Sequence, residues 1–182
     1  MVFVVTDYRY PRQKICGVWL LAVGVAMFLL MIKNASAAPN PVPFAIVYVL
    51  GMIWQLSPRT RKRLSVGEGS PRQRLFSNLS MAVLAVLIFL SFAVTQHAYD
   101  DIASLPAVRT LWLCILISVA LHFFMFIPVH GKMMAILGVV LLVNAGAGLL
   151  LPAMPLDVVF VLDGIIKIVV GAILIRISPT DF

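Results

Sequence analysis

Charge is what this sequence has least of. Only 12% of its 182 residues are charged while 62% are apolar, against roughly a quarter charged in an ordinary soluble domain. A soluble chain of this size could not cover its surface with so few polar groups, so lipid is the solvent that suits it. Cysteine is scarce too. Cys16 and Cys114 fall near opposite faces of the expected membrane, and no CxxC or Cys/His cluster has metal-ligand spacing, which argues against disulfide, thiol-redox and zinc chemistry. Alternating apolar and polar residues over about 10 positions, the mark of a barrel strand, are missing. So are a Gly-rich phosphate cradle, a GxSxG elbow and an HExxH helix. The chain is therefore read as non-enzymatic, with no cofactor and no metal.

What is present are long apolar runs. They predict an all-α integral membrane protein, a six-transmembrane-helix bundle forming one domain over residues 1–182. The spans are expected at about 15–32, 43–57, 78–97, 106–129, 133–151 and 156–177, with a mobile basic loop over 58–76. The first run follows Arg9, Arg12 and Lys14 and precedes Ala35-Ser36-Ala37, which resembles a signal peptide. It is longer than the roughly 7–15 residues of a secretory apolar region, so it is read as an uncleaved helix.

The net charge of +7 raises the question of polyanion binding. Eleven of the fourteen Lys and Arg fall on one side once the N-terminus is placed in the cytoplasm, including Arg59, Arg61, Lys62, Arg63, Arg72 and Arg74. That is positive-inside bias, which orients a chain without a nucleic-acid partner. The expected partners are the bilayer and anionic headgroups at the cytoplasmic face. Asp100 and Asp101 then lie outside, and both ends lie inside. Trp19, Trp54 and Trp112 are expected in an interfacial belt.

The six spans also read as three hairpins, each ascending from a basic or polar lead-in, turning at proline and descending to another proline (Pro58, Pro128, Pro179). Small residues at Gly138, Ala145, Gly146 and Gly148 offer a face for a homo-oligomer or a larger complex.

The run from Gly138 to Pro152, followed by Asp163-Gly164-Ile-Ile-Lys167 and Gly171, resembles the HdeD-like (DUF308-type) membrane proteins. The resemblance is clearest over 133–177. It implies a multi-pass protein of the bacterial inner membrane linked to acid or envelope stress, and it supplies no catalytic residues.

Asp163 and Lys167 are the most informative pair. Four apart, they share one helix face in the favourable acid-first order. Lys167 falls near the membrane midplane and Asp163 about 6 Å outward. A lone charge at that depth costs about 2.5–3.5 kcal/mol, so the two should face inward and pair. Asn144 has nearly the depth of Asp163, which suggests an Asn144–Asp163–Lys167 cluster: either an ion or proton relay, or a self-satisfied structural lock. His122 is expected in an interhelical hydrogen bond or as a pH sensor. His97 and His130 sit at opposite membrane ends, so haem ligation by two histidines is not expected. His97, Tyr99, Asp100 and Asp101 form either a small outer site or a solvated turn, with Arg109 near enough in sequence to pair with an aspartate. The functional expectation is a non-enzymatic HdeD-like protein or accessory subunit. The alternative is a small ion- or proton-coupled transporter using the midplane pair.

Overall fold

Proline and its neighbours decide where the helices begin. Four helices start on a capping side chain followed within two residues by proline, whose missing N–H is no loss in a first turn. The computed structural model, which describes residues 9–178, shows α1 at Gln13–Met27, extended by a 3-10 turn at Phe28–Met31. Next come α2 (Pro41–Leu56), α3 (Pro58–Leu64), α4 (Pro71–Ala98) and α5 (Leu105–Met125). The short α6 (Ile127–His130), α7 (Met133–Leu150) and α8 (Leu156–Ile177) complete the order. Asn40, Ser57, Ser70 and Ser104 cap α2 to α5 in turn.

Among the described residues, five helices are long and apolar enough to cross a membrane. A sixth crossing arises if α2 and α3, bent by 68° at Ser57, count as one span.

Two boundaries differ from expectation for a local reason. The segment expected as an open loop from 58 to 76 contains α3 and the start of α4. Ser70 accepts from the Gln73 N–H at 3.2 Å while Gln73 Oε1 accepts from the Ser70 N–H at 3.0 Å. This reciprocal capping box starts α4 seven residues before the expected 78. At 28 residues, α4 is about 42 Å long, more than a hydrocarbon core of about 30 Å requires. Its first turns, with Arg72 and Arg74, can therefore project beyond the lipid. The span expected at 106–129 instead breaks at Phe126, two residues before Pro128, which cannot donate to the helix ladder.

The most extensive packing joins the two ends of the chain, α1 against α8. A Cβ built on Gly17 would lie 2.7 Å from the Gly171 carbonyl oxygen, and one on Gly171 equally close to that of Gly17. Gly24 and Gly164 repeat the relationship at the same 2.7 Å. Each helix thus has two glycines seven apart, and the antiparallel backbones meet at both levels. In lipid, where apolar burial gives no net drive, such close backbone approach is what holds helices together. α5 packs on α7 and on α4, and α7 also reaches α8.

The small residues expected on an outward face of α7 mostly turn inward. Gly138 meets Ala120 and Phe124, Gly148 meets Leu113 and Val159, and Ala145 is buried; only Gly146 faces open space. Trp19 and Trp112 are packed between helices, Trp19 against Gly51 and Tyr48 and Trp112 against Phe160, whereas Trp54 is exposed. α2 buries none of its residues.

Candidate functional site

Four helices, α1, α5, α7 and α8, enclose two apolar clusters stacked along the bundle. The one nearer the basic end contains Cys16, Leu20, Ala120, Phe123, Leu141, Val170 and Leu174. The other contains Met27, Leu30, Leu113, Leu116, Ala145, Val159 and Phe160. On α8 the gap between them is occupied by Asp163 and Lys167, which are 1% and 2% exposed. The Lys167 ammonium donates to Asp163 Oδ1, as their spacing predicts. No other hydrogen bond reaches either side chain among the described residues. The pair is a neutral polar layer with apolar side chains above and below it.

Asn144 is buried at the same level but does not join the pair. Its Nδ2 donates to the Val159 carbonyl at 3.0 Å. That carbonyl is also the helical acceptor for the Asp163 N–H. Asn144 therefore ties α7 to α8 one turn from the carboxylate, and the expected three-membered cluster resolves into an ion pair and a separate backbone clamp. An amide at this position reaches the α8 backbone because the short 151–155 connection keeps the two helices adjacent.

His122 is buried on α5. Its Nδ1 donates to the Val119 carbonyl and its ring packs at a tilt against Phe123 and edge-on against Phe126. The expected interhelical bond involves its backbone rather than its ring: Ser80 Oγ on α4 donates to the His122 carbonyl at 3.2 Å.

A polar seam not anticipated from sequence joins α4 to α5. The buried positions of α4 are Ser80, Leu84, Ser91 and Thr95, so it presents mostly hydroxyls to its neighbour. Ser91 and Ser118 share a hydrogen bond at 3.1 Å, and Tyr99 and Thr110 one at 2.9 Å. The spacing of 4, 7 and 4 along α4 was the available signal, hidden because serine and threonine read as ordinary polar positions.

At the end opposite the basic face, Arg109 does not pair with Asp100 or Asp101. Its guanidinium donates to the carbonyls of Met154 (2.8 Å), Gly148 (2.6 Å) and Leu151 (3.3 Å), capping the C-terminal end of α7, where a cation is favoured. Lys33 pairs with Asp157 nearby. Asp101 organises its own turn by accepting from the Ala103 N–H.

At the basic end the lead-in to α1 is threaded beneath the segment after α3. The Pro11 carbonyl accepts from the Val66 N–H and from Ser65 Oγ, both at 3.1 Å. Gln73 Nε2 reaches the carbonyls of Arg9 (2.8 Å) and Pro128 (3.3 Å). Arg12, Arg61, Lys62, Ser65, Gly67 and Glu68 line a cavity of about 330 Å³. Burial and the neighbouring Arg61 draw the Arg12 guanidinium below its usual range; Glu68 opposes the shift and Arg74 adds to it. His130 is buried beside them with Nδ1 unpartnered. Burial first, then the Arg12 charge, pulls its imidazole down to about 4. Arg59 and Arg63 lie on α3.

Among the described residues no three His, Cys, Asp or Glu side chains gather as a metal site, and Cys16 and Cys114 are unpaired. No curated protein and no solved structure matches the chain. A family model does match residues 5–181, nearly the whole length. The chain belongs to DUF6609, a family of unknown function.

Proposed function

We propose that this protein is a non-enzymatic, multi-pass component of the cell inner membrane that serves as an accessory subunit of a membrane assembly. In this reading it crosses six times, with α2 as the second span, the basic α3 turned across the cytoplasmic end and both ends in the cytoplasm. The observation that carries the reading is the Asp163–Lys167 pair, buried between two apolar clusters and satisfied within one helix. A transport site needs water or substrate to reach its charges, whereas a lock works best dry. α2, with its apolar residues exposed, supplies surface for lipid or for a partner subunit. The resemblance over residues 133–177 implies acid or envelope stress as the setting. The headgroups of the cytoplasmic leaflet are the expected neighbours of the basic face.

The second reading is an ion- or proton-coupled transporter. It is favoured by His122, a titratable ring buried on α5, one of the four helices that surround the pair. Proteoliposomes with the full chain separate the two. The accessory reading expects no proton or cation flux above that of empty vesicles, under either a pH gradient or a potential. Flux that is present in the parent and abolished by Lys167→Met would replace it with the transporter reading.

A further inference from the structure

The cavity at the basic end has the composition of an anion site. We propose that it binds the phosphate of a hydroxyl-bearing phosphate ester, through the side chains of Arg12, Arg61 and Lys62.

Three observations support this. First, the cavity is built rather than incidental. It is an open depression lined by the half-buried Arg12 and by residues of the 61–68 segment, which the Val66 and Ser65 hydrogen bonds hold to the adjacent Pro11. Two stretches of chain about fifty residues apart thus fix the spacing of the cations. Second, those cations form no ion pair among the described residues. Both ion pairs among the described residues lie elsewhere, at Lys33–Asp157 and Lys167–Asp163. Arg12 is crowded by Arg61 and Arg74, and among the described residues Glu68 is the one carboxylate acting on it. An arriving phosphate relieves that repulsion and accepts charge-assisted hydrogen bonds from guanidinium groups, whose planar fork suits its oxygens. Third, Glu68 lines the same cavity. A carboxylate there disfavours a bare polyanion and accepts well from a hydroxyl, which selects a phosphate carrying a polyol, such as phosphoglycerol. The volume of about 330 Å³ lies at the small end of ligand pockets and suits a headgroup.

The same chemistry has two sources, a lipid headgroup and a soluble phosphate. The 68° turn from α2 into α3 lays Arg61 and Lys62 across the end of the bundle, where headgroups would lie. The lipid source rests on the membrane reading given above; the phosphate chemistry does not.

The test is calorimetric titration of the detergent-solubilised full chain with three probes: dioctanoyl phosphatidylglycerol, glycerol 3-phosphate, and dioctanoylglycerol, which has the tails without the phosphate. Saturable binding of the first but not the third is expected. Arg61→Gln/Lys62→Gln should weaken it about tenfold or more, while Arg63→Gln, outside the cavity, should stay within about twofold. The changed side chains are exposed, so both variants should fold, and the three parent titrations stand without them. Glycerol 3-phosphate binding in place of the lipid would keep the site and assign it to a soluble ester. Equal binding of dioctanoylglycerol, no saturable binding of either phosphate probe, or an equal loss in Arg63→Gln would overturn the proposal. None of these results depends on whether the chain conducts ions.

Discussion

Gly17 and Gly171 meet backbone to backbone: a Cβ on either would lie 2.7 Å from the other's carbonyl oxygen. With Gly24 and Gly164 they join the first long helix to the last and close the bundle. The central ion pair sits on the same helix, α8, so the seam also positions Asp163 and Lys167.

Gly17→Ala should therefore cost about 1–3 kcal/mol of unfolding free energy, because the added methyl forces two backbones apart. Gly146→Ala, which faces open space, should be neutral or slightly stabilising in helix propensity. Unfolding of both variants in one detergent checks the contrast, and equal behaviour would contradict the seam.

How α8 packs was only partly legible. The spacing of Asp163 and Lys167 and the run of apolar residues showed an inward-facing pair. The partner of Gly164 and Gly171 is 140 or more residues away in sequence, and hydrophobic periodicity carries no such information. The matching seven-residue glycine spacings on α1 and α8 were the one available clue. Asn144 was correctly placed in depth, but depth alone does not say whether an amide meets a side chain or a backbone carbonyl. The start of α4 was written in Ser70-Pro71 and Gln73. It was overridden by the density of arginines, which reads as loop although arginine is a good helix former.

Asn144→Leu should cost about 0.6–1.7 kcal/mol, the range for an interhelical hydrogen bond in a membrane bundle. The Asp163–Lys167 pair should be left intact, because Asn144 makes no hydrogen bond to it. A double-mutant cycle between Asn144→Leu and Lys167→Met should show a coupling energy near zero. Coupling above about 1 kcal/mol would restore the three-membered cluster.

Arg109→Leu should loosen the connection between α7 and α8 by leaving the Gly148 and Met154 carbonyls without their donor, at a cost of about 1–3 kcal/mol. Arg109→Lys should recover part of that loss. Lys33→Met, which removes a half-exposed ion pair, should cost less than about 1 kcal/mol. Thermal unfolding ranks the three, and the order Arg109→Leu, Arg109→Lys, Lys33→Met is expected.

His130 makes stability depend on pH. Burial holds its folded-state pKa at about 4, below the ordinary 6.5, so between these values the unfolded chain binds the extra proton. Its contribution is complete above about pH 6.5 and is lost as pH falls to about 4, amounting to about 3 kcal/mol at most. Unfolding measured across that window should show the decline in the parent and a smaller one in His130→Gln. Identical pH profiles would remove His130 as the cause.

The measurement that bears most directly on the account is the stability of Asp163→Leu, Lys167→Met and their combination, by reversible unfolding in detergent. A dry structural pair predicts that each single change strands a buried charge and costs about 3–5 kcal/mol, while the double change recovers most of that loss. Single variants as stable as the parent, with a double variant no better than either, would show that water already reaches the pair and would contradict the lock.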